Sequence, residues 1–152
     1  MSALGSWLAL DANCMVAFVS SWHQHQESTA KALTTVPPSE LIIPAQALLE
    51  AFSVLTRLPQ PHRASIADAW SSLRSSFVEK SKVVESTSKD VVAAVEACSR
   101  LGRAGGKVYD ALIVETAARA GARELWTWNV RDLERLAPAG LAVRTPDRGI
   151  LQ

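Results

Sequence analysis

Five short strand-like runs punctuate this chain, and a stretch patterned for helix separates each from the next. The runs are Trp7 to Leu10, Leu41 to Ile43, Lys82 to Glu85, Leu125 to Trp128 and Ala142 to Arg144. A chain that passes through a helix before each new strand re-enters the sheet pointing the same way, so parallel pairing is favoured. A parallel sheet needs both faces covered, and the intervening helices supply the cover. The fold class is therefore α/β, with a parallel sheet and helices on both sides.

Breakers and caps set the helix limits. Helices are expected over about Cys14 to Val19, Glu27 to Leu33, Pro44 to Leu58, Arg63 to Phe77, Lys89 to Leu101, Val108 to Ala120 and Val130 to Leu136. Pro37-Pro38-Ser39 interrupts the chain before the second strand. Pro44 suits the first position of its helix, where its missing N–H would be unpaired anyway. Pro59 and Pro61 end that helix, Ser88 caps the one after the third strand, and Gly121 closes the one before the fourth. Gly102 to Gly106 reads as a loop.

A length of 152 residues with 48% hydrophobic side chains is enough for one domain, residues 1–152, around one core. No apolar run approaches the roughly 20 residues that cross a bilayer, so no membrane partner is expected. Trp7 to Leu10 lacks preceding basic residues and a cleavage site, unlike a secretion signal. Cys14 and Cys98 are isolated and sit among apolar residues, as core filler in a reducing cytoplasmic protein would. The net charge of +1 excludes recognition of a polyanion by bulk charge, so any such binding needs a local patch.

Acidic and amide residues gather where strands give way to helices: Asp11, Glu50, Asp110 and the pair Asn129 and Asp132. Each has an ordinary reading. Asp11 suits a helix N-cap, although Asn13 could cap in its place. Glu50 borders the buried stripe of Ala47, Ala51, Val54, Leu55 and Leu58, with Arg57 on its own side. Asp110 falls on the inward face with Ile113, Val114 and Ala117, where a lone charge is costly, unless it is itself a cap. Asn129 and Asp132 are spaced as a capping pair. Jointly, these readings weaken. Open parallel sheets bind ligands beyond the carboxyl ends of their strands, and all these residues converge on that edge. Carboxylates brought together repel unless a cation lies between them. All-oxygen ligation selects a hard ion, Mg²⁺ or Mn²⁺, able to engage a phosphodiester and acidify a water.

The segments Leu10-Asp11-Ala12-Asn13, Leu49 to Arg57, Tyr109 to Ala117 and Trp126 to Leu133 resemble, in order and over nearly the whole chain, the PIN domain, and more narrowly VapC-type ribonuclease toxins of type II toxin–antitoxin systems. The resemblance implies a three-layer α/β/α sandwich with a central, mostly parallel sheet. It implies an Mg²⁺-dependent endoribonuclease, a small antitoxin protein as partner, and a homodimer. By position Asp11, Glu50 and Asp110 take the metal-binding and catalytic acidic places. Many members carry Asp where this chain has Asn129, which leaves Asp132 as the remaining carboxylate and lowers the charge of the pocket.

Around this set, Arg103 and Lys107 in a glycine-rich loop could hold an RNA backbone or be ordinary solvated loop charges, and Arg57, beside Glu50, has the better claim to that role. Thr127 stands next to Asn129 and could bind a water or phosphate. Trp128 reads as core, although it could stack on a base. His23, His25 and His62 read as surface residues, the first two too close along a helix to share a face. The competing class is a non-catalytic PIN-like module that holds RNA or a protein, favoured by Asn129 and opposed by the three intact acids. An Asp-x-Asp phosphatase is disfavoured because Asp11-Ala12-Asn13 lacks the second acid, and a receiver domain because no paired acids precede Asp11.

Overall fold

In the computed structural model, which describes residues 5–148, the strand-like runs form β1 (Leu8–Leu10), β2 (Leu41–Pro44), β3 (Lys82–Val84), β4 (Glu124–Trp126) and β5 (Ala142–Arg144). Every residue of β1, β2 and β4 is buried, whereas β3 and β5 are partly open. Strands closed to solvent on both faces require helices on both faces, which gives the three-layer α/β/α arrangement. The strand order is β3-β2-β1-β4-β5, and all four pairings are parallel. The sheet is thus wholly parallel where a mostly parallel one was expected. Its edge strands are only three residues long and carry Lys82 and Arg144, which discourages pairing with another chain.

This order positions the site. From β1 the chain builds outward through β2 to β3, then returns to the other side of β1 for β4 and β5. The crevice between β1 and β4 is therefore the switch point, where such sheets open toward ligand. Register pairs Leu10 with Trp126, and the Asp11 N–H bonds the Trp126 carbonyl at 3.0 Å. Asp11 and Thr127 consequently leave the sheet side by side.

The helices are α1 (Ala12–Val19), α2 (Gln26–Leu33), α3 (Ala45–Arg57), α4 (Ile66–Leu73), α5 (Ser88–Leu101), α6 (Lys107–Arg119) and α7 (Val130–Leu133). Several limits differ from the sequence expectation for local reasons. Pro44 ends β2 and caps α3, one position earlier than the first helical residue. The helix expected from Arg63 starts at Ile66, because the Ser65 hydroxyl accepts the Asp68 N–H, and after Leu73 it widens into a π turn over Arg74–Val78. Thr87, not Ser88, caps α5: Asp90 stands three residues after Thr87, and the two bond each other's backbone N–H groups reciprocally. Asp90 also takes Arg119 of α6 at 2.8 Å, which ties α5 to α6. Gly121, at φ 93°, closes α6 in the left-handed conformation that glycine adopts without strain.

The fourth strand lies at Glu124–Trp126, not Leu125 to Trp128. The Thr127 N–H still bonds the Arg144 carbonyl, but the Trp128 N–H turns to the Asn13 side chain. Trp126, Phe77, Leu8, Leu10, Met15, Ile42 and Ile43 are fully buried and centre the core on the sheet. Among the described residues no helix is long and apolar enough to cross a membrane.

Candidate active site

Asp11, Glu50, Asp110 and Asn129 line one cavity of about 290 Å³. Asp11 is the deepest, 5% exposed, at the junction of β1 and α1. One carboxylate oxygen accepts the Ala12 N–H at 2.7 Å and the other accepts the Thr127 hydroxyl at 2.7 Å. Asp11 is therefore the N-cap of α1, as its ordinary reading held, and it also faces the cavity. Asn13 does not replace it as cap. Its amide bonds the Thr127 hydroxyl and its carbonyl oxygen accepts the Trp128 N–H, so Asn13 fastens the β4–α7 connection to the start of α1.

Glu50 comes from α3 and Asp110 from α6, and both are half-buried. Asp110 is not a cap, since Gly106 holds that position in α6. Gln46, one turn before Glu50, donates to it at 3.3 Å. The electrostatics of the three acids share one cause. Burial pushes the Asp11 carboxyl up from 3.8 to about 6, against the pull of Thr127 and the Ala12 N–H, and Asp110 adds to the rise. Burial likewise raises Glu50, with contributions from Asp11 and Asp110. Asp110 is raised by burial despite Lys107, with Asp132 adding to it. Among the described residues none of the three has a salt-bridge partner within 4 Å.

A buried carboxylate that lacks a cationic partner and faces two others is the donor set a hard divalent cation satisfies. The oxygens fit that ion by type and by charge. In the conformation described they stand apart: among the described residues no three His, Cys, Asp or Glu side chains already form a closed metal cage.

Asn129 and Asp132 do not form the capping pair that their spacing suggested. The Asn129 side chain makes no cap bond; its amide donates to Asp132 at 2.9 Å, and the residue lines the cavity. Asp132 is also paired with Lys107 at 2.8 Å, and those two hydrogen bonds hold its carboxyl below the ordinary value. Asn129 lines the cavity, while Asp132 stands outside it, paired with Lys107 and close enough to Asp110 to raise its pKa.

The substrate-binding set divides similarly. Arg57 is exposed, with its Nε on the Ser53 hydroxyl, and its charge acts on Glu50. Arg103 stays in the loop before α6, close enough to Asp132 to influence it. Lys107 opens α6 and is tied to Asp132, so it is a partly neutralised cation and not a member of a mobile loop. Thr127 cannot meet a phosphate as placed: it has no exposed surface, and its hydroxyl orients Asp11 while accepting the Asn129 N–H.

Three lining residues escaped the sequence reading: Asn13 in this bridging role, Trp22 and His23. Trp22 and His23 sit where two successive turns, closed by His23 N–H to Ser20 and Gln26 N–H to His23, fold back beside the cavity. His23 and His25 do approach each other, with rings 5.8 Å apart, because this segment is turn and not helix. Trp128 is half-buried just past β4 and packs against the core, with its ring stacked on His25 and its indole N–H bonded to Thr29.

An α/β sheet of this order, with acids from the β1–α1 junction, α3 and α6 lining one cavity at the switch point, matches a known family. Residues 8–137 fit the PIN domain, and the chain belongs to the PIN-domain family. It is 33% identical over 136 residues to Ribonuclease VapC40 of Mycobacterium tuberculosis, which covers 84% of this chain and 90% of that protein. Among solved structures, M. tuberculosis VapC20, described as a sarcin-ricin loop cleaving toxin, superposes with a TM-score of 0.69 at 14% identity, over 82% of this chain and 92% of that one. VapBC2 from Rickettsia felis, bound to a DNA fragment from its promoter, gives 0.66 at 18% identity, over 91% and 97%. These two share the fold.

Proposed function

We propose that this chain is a divalent-cation-dependent endoribonuclease and acts as the toxin of a toxin–antitoxin pair. One observation carries the chemistry: the deeply buried Asp11, without a cationic partner among the described residues, shares one cavity at the switch point with Glu50 and Asp110. The name of the relative at 33% identity supports a ribonuclease, and the VapC and VapBC neighbours support a toxin with a small antitoxin. A cytoplasmic homodimer of single-domain chains completes the proposal.

Asp11, Glu50 and Asp110 would hold Mg²⁺ or Mn²⁺, which when bound neutralises the scissile phosphate and lowers the pKa of an attacking water. Asp11 is the fixed element, held by Thr127 and the Ala12 N–H so that it meets its ligand without reorganising. Asn129, which lines the same cavity, could add a neutral oxygen to this set. Arg57 near Glu50, Lys107 near Asp110 and Arg103 near Asp132 would offer cations to the flanking backbone, compensating a net charge too small to attract RNA. The products are a phosphate and a hydroxyl.

The second reading, a PIN-like module that binds RNA or protein without cutting, draws on Asn129 in the fourth place and on the ion pair that occupies Asp132. Induced expression followed by mapping of RNA ends separates the two. The nuclease reading expects growth arrest with new, discrete RNA ends, both lost in Asp110→Asn. Arrest without new ends supports the binding module, and normal growth with no new ends contradicts the toxin.

A further inference from the structure

Five rings form a continuous row, two of which, Trp22 and His23, line the acidic cavity. His62 stacks on Trp22 with centroids 4.2 Å apart, Trp22 lies 5.3 Å from His23, His23 5.8 Å from His25, and His25 stacks on Trp128 at 3.9 Å with planes 6° apart. The rings come from three separated segments: the double turn after α1, the connection after α3, and the end of β4. Trp22 and His23 line the cavity with the carboxylates, and Trp128 adjoins Asn129, which lines it too. Trp22 is 42% exposed and borders a second cavity, of about 170 Å³, that it shares with His62. A tryptophan left open between two cavities and backed by another ring is a stacking surface, not core filler.

His23 adds direction. Its Nδ1 accepts the His25 N–H at 3.0 Å, which places the ring proton on Nε2, and burial together with His25 lowers its pKa. The ring is thus a neutral N–H donor at the cavity edge. The row offers π faces and ring N–H groups without a lysine or arginine, a surface suited to nucleobases and not to phosphates. Duplex RNA keeps its bases stacked inside, so only an unpaired strand can use it.

Resting on the nuclease reading of the cavity, we propose that this row is a stacking track for unpaired bases next to the scissile phosphate, with Trp22 as its main platform and His23 donating to a base edge. The track would then select a single-stranded RNA segment and set its direction across the acids.

The test uses the full chain carrying Asp11→Asn, so that RNA is not cut, in Mg²⁺ buffer. The probes are fluorescein-labelled RNAs of about 12 nucleotides, a length within reach of a single-strand groove, and abasic ribose-phosphate oligomers of the same length. Adding Trp22→Ala is expected to weaken the base-bearing probe by roughly tenfold or more and to leave the abasic probe unchanged, with Trp22→Tyr restoring most of the loss. Equal weakening of both probes, or no weakening of either, overturns the track. Failure of the Asp11→Asn parent to bind the base-bearing probe also overturns the track, whereas the nuclease reading stands or falls separately on the mapping of RNA ends with the unaltered chain.

Discussion

Replacing Asp11 by Asn is expected to abolish RNA hydrolysis and, in metal-free buffer near neutral pH, to raise the melting temperature. The two effects have one origin. The Asp11 carboxyl keeps its proton up to about pH 6 in the folded protein against 3.8 ordinarily, so folding opposes its ionisation. With a raised pKa, its stabilising contribution is full below about pH 4 and is lost as pH rises through 6. The shift of roughly two units corresponds to about 3 kcal/mol. Asparagine has no charge to desolvate and caps a helix as well as aspartate does. It weakens the bond from the Thr127 hydroxyl, which costs about 1 kcal/mol. A net gain of about 2 kcal/mol is a rise of roughly 4–8 °C for a chain of this size. The gain should vanish at pH 4. Hydrolysis should fall by about a hundredfold or more, because the anchored ligand is gone. Calorimetry at both pH values and a cleavage assay on the same preparation check the pair. A lower melting temperature at neutral pH would mean that Asp11 serves the fold alone.

The second large effect is linkage between cation and proton. Addition of Mg²⁺ to chelator-treated protein at pH 7.5 is expected to restore activity and raise the melting temperature, by about 2.7 kcal/mol of stability at a hundred times the dissociation constant. A bound cation needs ionised carboxylates, so protons compete with it. With Asp11 near 6, the apparent affinity at pH 5 should be about tenfold weaker than at pH 7.5 from this residue alone. Glu50 and Asp110 are raised as well and push the same way. Isothermal titration at the two pH values measures it. Affinity that is equal at both, or greater at pH 5, would place the ion elsewhere.

The sheet was legible because its signal is local: each strand-like run is bounded by proline, glycine or a capping residue within a few positions. The acids were legible by address, since β1 and β4 end beside the switch point and α3 and α6 bring Glu50 and Asp110 to the same cavity. What escaped depends on partners far apart in sequence. Nothing near Asp132 announces Lys107, 25 residues earlier, yet the two are paired in the fold. Thr127 looks available in the sequence and is sealed by Asp11, 116 residues away. The ring row joins His62, Trp22 and Trp128, which no spacing rule connects. Thr87 displaced Ser88 as cap because two adjacent hydroxyls competed and only Thr87 has Asp90 at the reciprocal position.

That Asp11, Glu50 and Asp110 close around a single hard cation is tested most directly by crystals soaked in Mn²⁺ and measured for anomalous scattering. The expected result is one strong peak in the cavity, within about 2.5 Å of carboxylate oxygens from Asp11 and at least one of Glu50 and Asp110, and absent in Asp11→Asn. A cavity without a peak, or a peak held by residues other than these three, would contradict it.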